Sequence, residues 1–140
     1  MLIQINPSIK TIKLNRCDIV VELMLRIYKR RWVDRNKEHF FTIGLRRNST
    51  LIYIDLASIG TLHAALVDAR LIFKPAIIKS ASSIMLIHNH PSGNILPSDN
   101  DKLLTRQMLQ AGKLMDIQII DHIIIGEENF YSFANEGELY

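Results

Sequence analysis

The sequence predicts an α/β domain built around one mixed sheet with helices on its faces. Three observations carry that prediction. Helical and strand-like hydrophobic periods alternate along the chain. The short apolar run Ser83-Ile84-Met85-Leu86-Ile87 has the composition of a strand covered on both faces. That run, the helical pattern after it and the next apolar run together form a βαβ unit.

Taken in order, residues 1–16 read as an irregular or extended lead-in containing Pro7. From Asp18 to Arg31, Val20, Leu23, Met24 and Ile27 fall at helical spacing, with Asp18 suited to the N-cap. Glu38 to Leu45 reads as a strand. Arg47-Asn48-Ser49-Thr50 is turn chemistry, and Leu51 to Leu56 is a second strand, so the two form an antiparallel hairpin. Leu66 to Ala81 is helical in pattern, and Pro75 inside it predicts a kink or a restart. After the strand at 83–87 comes a loop over 91–97 rich in Pro, Ser, Gly and Asn. A helix follows from Asp99 to Met115, with Leu104, Met108, Ala111 and Met115 as its apolar stripe. Ile117 to Ile125 and Phe130 to Phe133 are the last two strands, joined by the turn Gly126-Glu127-Glu128-Asn129.

The bulk properties bound the function classes. A chain of 140 residues is one domain by size and long enough to bury a core without staples. The organisation expected is a lead-in over 1–16, a domain over 17–135 and a tail over 136–140. Seventeen basic against fourteen acidic residues leave +3, too small a charge to argue for nucleic acid on its own. A single cysteine, Cys17, excludes an internal disulfide and a multi-thiolate zinc cluster. There is no signal-like N-terminus and no apolar run of the ~18 residues a membrane span needs. A cytoplasmic protein with no membrane partner is therefore the expectation.

The chemistry lies in one stretch, His88-Asn89-His90-Pro91-Ser92-Gly93-Asn94-Ile95-Leu96-Pro97-Ser98-Asp99-Asn100-Asp101. Residues i and i+2 of an extended segment point the same way, so His88 and His90 present their rings to one side as the strand ends. Pro91 and Gly93 turn the chain, and Asp101 in the first helical turn can return to the same point. Two nitrogen donors and one oxygen donor make the ligand count of a catalytic zinc site with one open position. Zinc there lowers the pKa of its water to about 7. A nearby carboxylate can take that proton and return it to a leaving amine. Ser98 can donate its hydroxyl to a developing oxyanion. Plainer readings compete. Ser98-x-x-Asp101 fits a helix capping box, a role that can coexist with catalysis. A His-x-His pair alone is weak, Pro91-Ser92-Gly93 is ordinary turn chemistry, and Glu38 alone reads as a solvated strand-end carboxylate. The joint occurrence of two histidines, a turn and an acidic helix start after a buried strand favours the metal site.

The same stretch resembles the JAMM motif of the JAB/MPN metalloprotease superfamily residue for residue: H-x-H, seven residues, S, two residues, D. Gly60-Thr61-Leu62, Arg70-x-Ile72-Phe73-Lys74-Pro75-Ala76, His88 to Asn94 and Asp121-His122-Ile123-Ile124-Ile125-Gly126 are similar to its RadC branch. The resemblance spans nearly the whole domain. It implies a three-layer α-β-α JAB/MPN fold, cytidine-deaminase-like, with a mixed central sheet. It also implies zinc held by His88, His90 and Asp101, Glu38 as the acid/base, and Ser98 assisting the oxyanion. The implied activity is hydrolysis of an amide or isopeptide bond in a peptide or protein substrate. Full-length RadC proteins carry an N-terminal helix-hairpin-helix region. Only one helix precedes the first strand here, so the expectation is a short family member or the catalytic fragment of a longer one.

Asp121 and His122 have two readings: a carboxylate or imidazole that orients a metal ligand, or a hydrogen-bonded pair holding strand to loop, which is preferred. His39 and His63 read as non-ligands and Cys17 as a packed small hydrophobe. A second function class rests on Arg26, Lys29, Arg30, Arg31, Arg35 and Lys37, with Tyr28 and Trp32 among them. Such a cluster can contact phosphates and stack bases; its plain alternative is a solvated helix end. Nucleobase deamination needs H-x-E and a paired Cys-x-x-Cys, which this chain lacks.

Overall fold

A computed structural model describes residues 1–60 and 67–139. Among the described residues there are three α-helices, α1 (Cys17–Tyr28), α2 (Ala69–Ile78) and α3 (Asp99–Met115). Five strands, β1 (Glu38–Leu45), β2 (Leu51–Gly60), β3 (Ser83–Asn89), β4 (Gln118–Ile125) and β5 (Phe130–Ser132), form one sheet in the order β2-β1-β3-β4-β5. β1 runs antiparallel to both β2 and β3, β3 and β4 are parallel, and β5 returns antiparallel to β4. The sheet is therefore mixed, and the crossover between its parallel strands is α3.

Two clusters of buried side chains divide the molecule into three layers. On one face, Val20, Met24, Ile27 and Tyr28 of α1 pack with Phe41, Ile43, Met85, Ile87 and Ile123. On the other, Ile72, Phe73 and Ala76 of α2 and Leu104 and Met108 of α3 pack with Phe40, Ile84, Leu86 and Ile119. Strands covered on both sides have no face to give to water, which is why β3 carries the unbroken apolar run Ile84 to Ile87. This is the three-layer α-β-α arrangement around a mixed central sheet that the resemblance implies.

Several local expectations are corrected. Asp18 is not the N-cap of α1. Arg16 occupies that position without a side-chain cap, and Asp18 sits in the first turn, held by the Arg16 guanidinium at 2.7 and 3.1 Å. The helix ends at Tyr28, so Lys29 to Arg31 lie beyond its last turn. β2 extends past Leu56 to Gly60 because Phe40, His39 and Glu38 of β1 supply partners for Ser58, Ile59 and Gly60. α2 starts at Ala69, where the Asp68 carboxylate accepts from the Leu71 amide, and runs through Pro75 without a restart. The missing amide of Pro75 deprives only the carbonyl of Leu71, an exposed position near the end of a short helix. Leu66 lies outside the described residues, as do Thr61 and Leu62. The buried stripe of α3 is Asp101, Leu104, Thr105, Met108 and Gly112, whereas Met115 is exposed. The first sixteen residues lie against the sheet: Leu2 bridges Asp55, Lys13 bridges Thr50, and Ile3 and Leu14 are buried. No helix among the described residues is long and apolar enough to cross a membrane.

Candidate metal centre

β3 carries His88 and Asn89 at its carboxyl end, and His90 follows directly. The chain turns through Gly93, at φ 83°, a conformation that costs glycine little. It re-enters at α3 through a capping box. Ser98 Oγ accepts from the Asp101 amide at 3.1 Å, and Asp101 Oδ2 accepts from the Ser98 amide at 2.8 Å. The capping reading is thus realised, and it also fixes the Asp101 carboxylate. One oxygen caps the helix and both face the histidines.

His88 Nε2 and His90 Nε2 lie 3.0 Å apart. Asp101 Oδ1 is 3.2 Å from the first and Oδ2 is 3.1 Å from the second. His88 and Asp101 are fully buried, and His90 is largely so. Donors about 2.0–2.2 Å from a tetrahedral ion are separated by about 3.3–3.6 Å, so this spacing is close to that of a filled zinc shell. The protonation states agree. His90 Nδ1 stands 2.7 Å from the Asn94 carbonyl, which can only accept, so the ring donates from Nδ1 and keeps a lone pair on Nε2. That lone pair faces a carboxylate oxygen, a contact that calls for a cation or a proton between them. Burial pushes the Asp101 carboxyl up, but the imidazoles of His88 and His90 that face it outweigh burial and hold it well below the usual range. The Asp101 carboxylate in turn raises the pKa of His90, against the effect of burial. Among the described residues, His88, His90 and Asp101 are the group that could hold a metal ion.

Behind His88 stands His122 of β4, its Nε2 2.9 Å from His88 Nδ1. Burial holds the His122 imidazole neutral, well below its ordinary pKa. Phe133 stacks on His122 and Phe40 on His88. Asp121 points elsewhere. It accepts from Ser132 Oγ and from the amides of His122 and Ala134 at 2.6–3.0 Å, tying β4 to the chain after β5. Burial raises the Asp121 pKa, and those three hydrogen bonds offset part of the rise. The pair thus faces two ways: Asp121 is bonded to the chain around β5, and His122 meets the ring of His88.

Glu38, at the head of β1, lines a cleft of about 440 Å3 together with His90, Asp101 and Ser98. A second hollow of about 450 Å3 continues from Glu38 and Pro91 towards Ile59 and Gly60. The site thus opens onto a trough bounded by the 91–98 loop and the end of β2. A larger hollow, about 820 Å3, lies at the amino ends of β3 and β4, among Ser83, Lys113 and Gln118, away from the histidines.

Two residues that sequence reasoning passed over complete the site. Asn89 sits between the two histidines, and its amide spans the neighbours of Glu38. Oδ1 accepts from the His39 amide at 2.7 Å, and Nδ2 donates to the Lys37 carbonyl at 3.0 Å. Thr105 lies 2.6 Å from His122 Nδ1. An amide at an alternating strand position facing away from the histidines was the available signal for the first. The second follows Asp101 by one helical turn. His39 is buried beside Tyr28 and Phe41 and is not part of the metal-ligand group; His63 lies outside the described residues. Cys17 is half-buried and accepts from Asn135 Nδ2. In the basic segment, Lys29, Arg30, Arg31, Arg35 and Lys37 are exposed and Trp32 is partly so. Tyr28 is buried, its hydroxyl donating to the His39 carbonyl, and so is withdrawn from any base-stacking surface.

The chain is similar to known proteins over this whole region. The family described as the RadC-like JAB domain matches residues 19–138. A UPF0758 protein of Chlorobium chlorochromatii is 45% identical over 106 residues, covering 76% of this chain and 48% of the relative. One of Syntrophomonas wolfei is 47% identical over 102 residues, covering 73% and 43%. One of Methanosarcina acetivorans is 39% identical over 104 residues, covering 74% and 45%. The chain spans about half the length of the curated relatives it matches. A family match over residues 19–138, most of the chain, makes this chain a member of the RadC-like JAB domain family.

Proposed function

We propose that this domain is a zinc-dependent hydrolase of metallopeptidase or isopeptidase type, acting on an amide bond of a peptide or protein. The observation that carries the reading is the convergence of two imidazole nitrogens and a carboxylate within 3.0–3.2 Å of one another beside an open trough. His88, His90 and Asp101 would hold the zinc, which would supply Lewis acidity and bring the pKa of a water down to about 7. The protein supplies the remainder. Glu38 accepts the proton of the attacking water and delivers it to the departing amine. The Ser98 hydroxyl oxygen accepts from the Asp101 amide, which leaves its own proton to donate to the developing oxyanion. The trough along the 91–98 loop and β2 takes the substrate chain. One free cysteine and no disulfide fit a reducing, cytoplasmic location.

Elemental analysis of wild type beside His88→Ala is the first test, with one zinc per chain expected in the former and none in the latter. Glu38→Gln should keep its zinc and lose about 10²–10⁴-fold in hydrolysis of an isopeptide substrate. Absence of metal from both proteins, even after zinc addition, would sink the reading.

The alternative is a DNA-associated module that uses the basic 26–37 segment. The run of exposed cations from Lys29 to Lys37 supports it, and the burial of Tyr28 weakens it. It requires DNA affinity that falls steeply with salt and drops in the Arg30→Ala, Arg31→Ala double variant.

A further inference from the structure

Each imidazole that faces the metal position must present an unprotonated Nε2, and the other ring nitrogen decides whether it does. For His90 the decision is local, made by the Asn94 carbonyl. For His88 it is not, because its Nδ1 meets another imidazole, which can donate or accept.

The ambiguity is resolved two residues away. Thr105 Oγ1 donates to the Asp101 carbonyl at 2.7 Å. A hydroxyl has one proton and a carbonyl can only accept, so that proton is committed. Towards His122 Nδ1, at 2.6 Å, the same oxygen can therefore only accept. His122 thus carries its proton on Nδ1 and a lone pair on Nε2. His88 Nδ1, 2.9 Å from that lone pair, must be the donor. Its Nε2 is then bare and points at His90 and Asp101. Running the chain the other way would ask Thr105 to donate twice. Protonating both nitrogens of His122 would place a charge in a fully buried position between aromatic rings.

We infer that Thr105 and His122 are positioning residues that lock His88 in the Nδ1–H tautomer, so that its Nε2 lone pair is presented to the metal. The inference rests on the metal-binding half of the reading above and is independent of hydrolysis. It also explains why β4 enters the site. A ligand on β3 is oriented by a ring on β4, and that ring by a hydroxyl on α3, the helix that supplies Asp101. Through the Asp101 carbonyl, one threonine touches the supports of two of the three ligands.

The test has two readouts. Nitrogen-15 NMR of histidine-labelled, zinc-free protein at mildly alkaline pH reads the tautomers directly, with Nδ1–H expected for both His88 and His122. Zinc titration of Thr105→Val, which keeps the shape and removes the hydroxyl, should show affinity reduced about 10–100-fold, with Thr105→Ser restoring it. Nε2–H on either ring would overturn the inference, as would wild-type zinc affinity in a folded Thr105→Val. If Thr105→Val does not fold, the wild-type tautomers alone decide. If wild-type protein takes up no zinc, the hydrolase reading fails, and the tautomers still decide whether the relay exists.

Discussion

Asn89 places one side chain between two functions. Its neighbours in sequence are metal-ligand candidates, and its amide holds the backbone on both sides of Glu38. The 88–90 segment thereby sets the distance between the candidate ligand histidines and Glu38, although about fifty residues separate them in the chain. Asn89→Ala leaves the His39 amide and the Lys37 carbonyl without that partner. The expected cost is about 1–3 kcal/mol, read by denaturant unfolding, with zinc stoichiometry unchanged because no ligand is lost. A greater fall in kcat than in stability would identify displacement of Glu38. At this scale His88, His90, Ser98 and Asp101 were legible as candidates because one short motif holds them together, whereas Glu38, about fifty residues upstream, came only from the family resemblance. Thr105 was not, because a threonine on an amphipathic helix reads as an interior filler until its hydroxyl is seen between an imidazole and a carbonyl.

Among the elements, α3 does the most. Its first turn is a capping box that also fixes the Asp101 carboxylate, its middle packs on the sheet, and its end hands the chain directly to β4. The handover depends on close approach. The Asp116 cap is left-handed at φ 56°, and the Ile117 amide donates back to the Gly112 carbonyl at 3.0 Å. That arrangement presses the Ile117 carbonyl onto Gly112, where a Cβ would overlap it. In an exposed helix, glycine to alanine gains up to ~1 kcal/mol. Here overlap with backbone, which cannot swing aside, should outweigh that gain. Gly112→Ala is expected to destabilise by about 1–3 kcal/mol in chemical unfolding. The boundaries of β1 and α3 could be read from composition because caps and turns mark them. The extension of β2 to Gly60 could not, since it is imposed by pairing with β1 and not by its own residues.

Across the whole molecule, the sheet separates two cores, and the ligand candidates stand where the α3-side core reaches its edge. β3 supplies one ligand candidate, the chain just beyond it a second and α3 the third, so an ion held by all three would tie these segments together and bind only the folded chain. Zinc should therefore raise stability by about 4 kcal/mol at a thousandfold excess over its Kd. For a domain this size that corresponds to roughly 10 °C in Tm. Chelation should reverse the shift, and His88→Ala should melt at one temperature with or without chelator. Scanning calorimetry of both proteins checks it. An equal chelator response in the variant would mean that the ion binds elsewhere.

The sequence by itself determined the fold class, the order of helices and strands, and the ligand candidates. Those properties lie in local periodicity and in a motif whose members are near neighbours. Only the tertiary structure decided which groups stand behind them. The parallel pairing of β3 with β4 brings His122 to His88, and the packing of α3 on the sheet brings Thr105 to His122. The Asn89 amide reaches across to β1 to hold the flanks of Glu38. Hydrogen bonds between residues this far apart leave no periodic trace in the chain, because each depends on two elements meeting in one register.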